Sequence, residues 1–406
     1  MNSIERERAV CAQNYAPLPI MLERGEGVWL SDTAGVKRLD MMSGYSAVSL
    51  GHGHPRILAV LSEQAARLAV TSRAFHCAPL APFLEKLCAV SGMAMALPMN
   101  TGAEAVETAI KAARRWGHRV KRIPDGEARI IVADGNFHGR TTTIIGFSSE
   151  PSYRDSFGPF APGFDRVPFG DIAAIEHAIT PQTAAVMIEP IQGEAGIVMP
   201  PAGYLAQLRR LCDRHHVLLI LDEVQSGLGR TGRWFAHQHE SILPDGLIVG
   251  KALGGGVYPV SAFLASREVM HVFDPGSHGS TFGGNALAAA IGLEALRVIE
   301  EERLVERSAE EGAYLKARLA AMTAGLAREV RGIGLWVGVD IDPAVAEAKS
   351  IVADLAQAGV LTKETHETVI RFAPPLTISR EEIDWGLARC ETVFAAIRAA
   401  SGRRAA

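Results

Sequence analysis

Between about residue 100 and residue 250, short apolar runs alternate with longer stretches in which apolar residues recur every three or four positions. The runs are Arg129–Ala133 (RIIVA), Ala184–Ile188 (AAVMI), Val217–Leu221 (VLLIL) and Leu247–Val249 (LIV). Each is strand-sized and apolar nearly throughout, the pattern of a strand buried on both faces. Gly203–Arg214 places Leu205, Leu208 and Leu211/Cys212 at helical spacing. Strands alternating with amphipathic helices predict an α/β fold, with a mainly parallel sheet and helices on both of its faces.

The texture changes after about residue 290. Two charged helical stretches, near 286–301 and 304–323, precede a strand pattern at Gly334–Ile341, a helix near 345–358 and a second strand pattern ending at Val369–Phe372. Ser379-Arg-Glu-Glu382 has the spacing of a capping box and opens the last helix. This part reads as a smaller α+β C-terminal domain. The expected division is an N-terminal segment (1–45) packing with the small domain, a large domain (46–290) and the small domain (291–406).

With 406 residues, 48% of them hydrophobic and 21% charged, the chain can bury two cores and is not of disordered composition. A formal net charge of −4 gives no support for nucleic-acid or membrane-surface binding. No apolar run approaches a spanning helix, and the opening MNSIERERAV has no apolar signal region, so a cytoplasmic location is expected. The five cysteines include no C-x-x-C pair and read as free thiols. The pairs His52/His54, His215/His216 and His237/His239 lack zincin spacing and a partner set, so no metal site is expected.

Three strand patterns end in an ionisable residue. AAVMI runs into Glu189, VLLIL into Asp222, and LIV-Gly into Lys251. Ligands of open α/β sheets bind beyond the carboxyl ends of the strands, so these ends suggest a shared polar crevice. Asn100-Thr-Gly-Ala-Glu104 leads into a helical stripe of Val106, Ala109/Ile110 and Ala113, with Thr101 and Glu104 at capping-box spacing. Such a helix start is either an ordinary cap or a phosphate site. Gly246-x-x-x-Gly250-Lys251-Ala252 is one residue short of a P-loop and lacks its Ser/Thr, and Gly332-Ile-Gly334 runs into a strand pattern where a dinucleotide turn needs a helix. A phosphate site, a buried lysine and an aspartate together suit pyridoxal phosphate (PLP), whose aldehyde condenses with a lysine and whose ring nitrogen an aspartate keeps protonated. Spacing alone leaves this a hypothesis, because isolated Asp…Lys pairs are common.

The blocks LDEVQSGLGRTGRWFA, PDGLIVGKALGGGVYPVSAF and HGSTFGGNALA resemble the signature of the class III (subgroup II) aminotransferases of fold type I. Within that family, NYAPLPIMLERG, GYSAVSLGHGHP, EPIQGEAGIV and LTKETHETVIRFAPPL are most similar to the ornithine aminotransferases, and the likeness runs from about Asn14 to the last helix. The resemblance implies that Lys251 carries the cofactor and moves the substrate proton. It implies that Asp222 pairs with the pyridinium nitrogen, Gln225 bonds the phenolic oxygen and Phe137 stacks on the ring. Gly102 and Ala103 would then bind the phosphate, with Thr281 reaching it from the other subunit of at least a homodimer. Arg371 would grip the α-carboxylate of glutamate or 2-oxoglutarate, Glu194 would neutralise Arg371 while ornithine reacts, and Tyr45 would help gate that exchange. Tyr15 and Arg140 would hold the α-amino and α-carboxylate groups of ornithine. Two departures stand out: Ala286 replaces a frequent proline, and His138 follows Phe137 where some relatives carry tryptophan. The implied reaction moves the δ-amino group of ornithine to 2-oxoglutarate. N-acetylornithine or 4-aminobutyrate as donor is the alternative, and a PLP-binding protein without catalysis is a third reading.

Overall fold

The computed structural model describes residues 3–404. Its centre is a seven-stranded sheet in the order Met95–Met99, Ser261–Ala265, Gly246–Val249, Leu218–Asp222, Thr183–Ile188, Arg129–Ala133, Phe164–Val167. All run parallel except Ser261–Ala265, which is antiparallel to both neighbours. Side chains of a strand alternate between faces, and the two cores follow that alternation. Ile130, Val132, Met187, Ile220, Ile248 and Phe263 pack on one side with the Gly102–Arg119 helix. Ile131, Ile188, Leu219, Leu221, Val249 and Leu264 pack on the other with the Tyr204–His215 and Ala286–Glu301 helices.

The four strands read from sequence are all present, within one residue of their expected bounds. Three strands escaped that reading, each for a local reason. Met95–Met99 contains Pro98 and lies at one edge, where a missing N–H is tolerated. Phe164–Val167 carries Asp165 and Arg166 and forms the other edge. Ser261–Ala265 is fully buried but short, with small residues at three of its five positions. The helices expected near 286–301 and 304–323 form as Ala286–Glu301 and Leu304–Met322, although the first is buried along most of its length rather than charged and exposed.

The C-terminal part folds on a second sheet, antiparallel throughout, in the order Ala327–Gly332, Val337–Ile341, Val369–Phe372, Lys363–Thr365. Arg371 lies on an inner strand of it, opposite Gly338 on one side and Lys363 on the other. The strand pattern expected from Gly334 begins only at Val337, and the charged strand Ala327–Gly332 was not expected. A third sheet joins the hairpins Leu22–Glu26, Trp29–Asp32 and Lys37–Asp40 to Val360–Leu361. Trp29 stands edge-on to Trp385 with ring centroids 4.8 Å apart, and its indole N–H donates to Glu382 Oε1 at 3.0 Å. Ser379 and Glu382 form the expected capping box, with the Glu382 amide donating to Ser379 Oγ at 3.2 Å and the Ser379 amide to Glu382 Oε2 at 2.9 Å.

The Leu304–Met322 helix lies so close to the turn before Val337 that a Cβ on Gly312 would fall 2.0 Å from the Gly334 carbonyl carbon. Backbone on both sides cannot move aside cheaply. Gly312→Ala is therefore expected to cost about 3 kcal/mol of stability, at the upper end for overpacking. Urea unfolding checks this, and an unchanged midpoint would contradict the packing.

Candidate active site

Parallel strands deliver their carboxyl ends to one edge of the sheet, and the register sets their heights. Ile188 pairs with Leu221 and Asp222 with Ile248, so Glu189 and Asp222 emerge side by side, with Lys251 just beyond the next strand. The three line one cavity with Gly102, Ala103, Phe137, His138 and Gln225. Lys251 opens a short 3₁₀ turn at a φ of +46°, a left-handed conformation that costs a non-glycine residue energy. Burial lowers the Lys251 amine below its usual range, opposed by the nearby charges of Glu194 and Asp222. Among the described residues no hydrogen bond or ion pair engages Lys251 Nζ, and a poorly solvated amine of lowered pKa is a ready nucleophile and base.

At the floor of the cavity, Asp222 Oδ2 meets His138 Nδ1 at 2.7 Å, and its Oδ1 accepts the Val224 amide at 3.0 Å. His138 is wholly enclosed. Burial pushes its pKa down, but the hydrogen bond and charge of Asp222, with Glu189 behind, carry it above the usual histidine value. Its Nε2 is buried without a partner. Glu189 accepts the Phe137 amide at 2.9 Å, and burial raises its carboxyl to about 8, with the charge of Asp222 adding to the rise and His138 opposing it. Sequence analysis places Glu189 at a strand end of the expected crevice without a role, and gives His138 only as a departure beside Phe137. The signals for their joint role are the strand-end position of Glu189 and the place of His138 beside the ring of Phe137.

The helix start reads as expected. Thr101 Oγ1 accepts the Glu104 amide at 3.2 Å, and Glu104 Oε2 accepts the amides of Thr101 at 2.8 Å and Asn100 at 3.1 Å. Gly102 needs its small size, since a Cβ there would meet Val224 Cγ1 at 3.1 Å. Gln225 reaches across to Gly193, where a Cβ would come within 2.0 Å of Gln225 Oε1.

These residues fit PLP. An unpartnered lysine amine stands in the same cavity as a carboxylate with spare acceptor capacity, a helix N-terminus suited to a phosphate, and a phenyl ring. The carboxylate is oriented by its contact with His138, whose pKa that contact raises, and it keeps lone pairs free for a protonated ring nitrogen.

A second group faces this one from the small sheet. Arg371 Nη1 donates to Glu194 Oε1 at 2.7 Å, with the arginine side chain 5% and the glutamate 22% exposed. The Arg371 guanidinium lies over the Tyr45 ring at 4.8 Å. Arg140 is exposed, but its guanidinium covers Tyr153 at 3.6 Å and stands 5.5 Å from the Phe137 centroid. Tyr153, in PSYRDSFG, carried no motif and was not singled out from sequence. Two expected site residues are not brought in. Tyr15 is 81% exposed and does not line the cavity, and Thr281 is exposed on the loop before the Ala286–Glu301 helix. Among the described residues no cluster of three or more His, Cys, Asp or Glu side chains is arranged to hold a metal ion.

The raised Glu189 carboxyl has a consequence for stability. Without cofactor, the folded protein keeps this proton up to about pH 8, whereas the unfolded chain releases it near 4.5. Folded protein binds the extra proton between those values, so stability falls as pH rises through that window. In the cofactor-free form, Glu189→Gln should show a shallower decline in thermal midpoint between about pH 5 and about pH 8 than the parent protein. Parallel profiles for the two would contradict the assignment.

Comparison with known proteins agrees with this geometry. The family model described as aminotransferase class-III matches residues 10–394. The chain is 53% identical to the ornithine aminotransferase of Brevibacillus brevis over 391 residues, 96% of this chain and 97% of that one. Among solved structures it resembles the Toxoplasma gondii ornithine aminotransferase that has partial occupancy of PLP at its active site (TM-score 0.96, 40% identity, 98% of this chain and 95% of that one). It also resembles the acetylornithine aminotransferase of Elizabethkingia anophelis (TM-score 0.87, 42% identity, 97% of this chain and 98% of that one). A PLP site at the carboxyl ends of a mainly parallel sheet, with sequence likeness along nearly the whole chain, leads to one conclusion: the protein belongs to the class-III aminotransferases.

Proposed function

We propose that this enzyme is an ornithine δ-aminotransferase, moving the δ-amino group of L-ornithine to 2-oxoglutarate to give glutamate 5-semialdehyde, which closes to pyrroline-5-carboxylate, and glutamate. The observation that carries the reading is the Arg371–Glu194 ion pair beside Tyr45. Ornithine presents two amines and one carboxylate. A free guanidinium at the site would draw in that carboxylate and bring the α-amine to the reacting centre. With Glu194 on Arg371 that attraction is cancelled, and the δ-amine is left to react. When 2-oxoglutarate or glutamate follows, its α-carboxylate displaces Glu194 and takes the guanidinium. One hydrogen bond of 2.7 Å, rather than a two-pronged contact, is a geometry a competing carboxylate can open.

Bound PLP supplies an electron sink that lets the carbon bearing the amine lose a proton. Lys251 Nζ would hold the cofactor through its aldehyde carbon and, once released, would take that proton and return it on the other side of the amine nitrogen. Asp222 would keep the proton on the ring nitrogen, Gln225 would bond the phenolic oxygen, Phe137 would cover the ring, and Gly102 and Ala103 would offer amide N–H groups to the phosphate. Arg140, backed by Tyr153, receives a substrate carboxylate, and Tyr15 approaches only if the exposed N-terminal segment folds over the site. The working unit in this reading is at least a homodimer, with Thr281 serving the partner's site, which accords with the exposure of Thr281 and Phe282. Its three parts are residues 1–45, 46–290 and 291–406. Five free cysteines suit a reducing cytoplasm.

The likeness to an acetylornithine aminotransferase favours a second reading, in which the donor is N-acetylornithine. Incubation with ornithine and 2-oxoglutarate should yield trapped pyrroline-5-carboxylate, and faster initial turnover of N-acetylornithine than of ornithine would reverse the assignment. Lys251→Ala should bind the cofactor and show no turnover, and measurable steady-state activity would remove Lys251 from its role. Glu194→Ala should lower kcat/KM for ornithine about tenfold more than for glutamate, or about 1.4 kcal/mol of selective transition-state stabilisation. Equal losses in the two half-reactions would contradict the switch.

A further inference from the structure

Arg230 is a fully buried arginine outside the cavity, and among the described residues no carboxylate is hydrogen-bonded to it. Its Nη1 donates to the carbonyls of Leu335 at 2.9 Å and Pro374 at 2.6 Å. Its Nη2 donates to Ser49 Oγ at 2.9 Å and Ser43 Oγ at 3.2 Å. The Nε has no partner. Burial pulls the guanidinium down to about 9, opposed by the charge of Asp40, so the cation persists at neutral pH. An arginine buried without a carboxylate is expensive, and an apolar side chain of similar volume is often better for stability alone. The fork must be doing something a hydrophobe cannot.

What it joins is specific. Ser43 and Ser49 flank a left-handed turn in which Ser43, Gly44, Tyr45 and Ser46 have φ of 45°, 55°, 58° and 72°. Three of the four are not glycine, and left-handed backbone costs such residues roughly 1–2 kcal/mol each. The hydroxyls that accept from Arg230 also hold the turn: Ser49 Oγ donates to the Ser46 carbonyl at 3.0 Å, and Ser43 Oγ to the Ala373 carbonyl at 2.7 Å. Ala373 and Pro374 directly continue the strand that carries Arg371. One planar guanidinium therefore ties the turn that presents Tyr45 to the chain that presents Arg371.

We infer that Arg230 is a positioning residue for donor selectivity: through Ser43, Ser49 and Pro374 it holds the Tyr45 ring against the Arg371 guanidinium and so keeps Arg371 on Glu194 while ornithine reacts. This rests on the functional reading above. Without the fork the strained turn relaxes, Tyr45 leaves Arg371, and the arginine becomes free to take a substrate α-carboxylate. Glutamate uses that contact and is spared. Ornithine is drawn in wrongly and its δ-transfer suffers. A lysine can keep the charge but cannot reach both segments with one planar group.

The test compares single-turnover rates of ornithine and glutamate on PLP-loaded parent enzyme, Arg230→Met and Arg230→Lys, with cofactor content and thermal midpoint measured alongside. The ornithine-to-glutamate rate ratio should fall about tenfold in Arg230→Met and by a smaller factor in Arg230→Lys, with cofactor retained. A loss of packing alone would slow both half-reactions by the same factor, and that result overturns the inference, as does an unchanged ratio. If Arg230→Met does not fold, Ser49→Ala decides in its place, because it removes the shorter of the two hydroxyl contacts between Arg230 and the turn. A ratio about threefold below the parent supports the inference, and an unchanged ratio overturns it. Parent enzyme that does not use ornithine sinks the functional reading and this inference with it, whereas parent enzyme that does, beside variants of unchanged ratio, removes this inference alone.

Discussion

Everything at this site depends on a geometric constraint: parallel strands of one sheet all end on the same edge. Because Leu218–Asp222 sits between Thr183–Ile188 and Gly246–Val249, their last residues reach the solvent edge as neighbours. Glu189, Asp222 and Lys251 are thus gathered without any loop having to search for them. The antiparallel strand Ser261–Ala265 does not break this set, since it lies on the far side of Gly246–Val249. The Gly102–Arg119 helix follows the edge strand Met95–Met99 and so brings its amide-rich N-terminus to the same edge.

Crowding charged groups there has an electrostatic cost, which shows in the raised pKa values of His138 and Glu189. His138 contacts Asp222, and the hydrogen bond and charge of that carboxylate hold the histidine's pKa above its usual range. Glu189, equally buried but lacking such a contact, holds its proton instead and is raised to about 8. A second pair joins Arg371 of the small sheet to Glu194, on the loop after Thr183–Ile188. In the proposed reading one pair serves the cofactor and the other the substrate.

The residues that read clearly from sequence were those whose chemistry is tied to a local pattern. Asp222 and Lys251 end apolar runs, and Thr101 with Glu104 marks a helix start, so strand ends and caps could be placed without knowing the partners. The Glu194–Arg371 pair, 177 residues apart in sequence, came only from resemblance, because no periodicity links a loop of one domain to a strand of another. Arg230 lies inside the same signature block as Asp222, yet nothing in its neighbours shows that it is buried or what its fork reaches. Tyr153 and the His138–Asp222 contact were invisible for the same reason. Edge strands were missed where proline or charge disguised them, and Tyr15, expected at the site, stands exposed in the single chain.

The central claim is that the ion pair on Arg371 decides which amine of ornithine reacts. It is tested most directly by supplying ornithine labelled with ¹⁵N at either the α or the δ position, together with unlabelled 2-oxoglutarate, and following the label into glutamate. The account predicts that glutamate acquires ¹⁵N from δ-labelled ornithine and essentially none from α-labelled ornithine. Glutamate labelled mainly from the α position would contradict it.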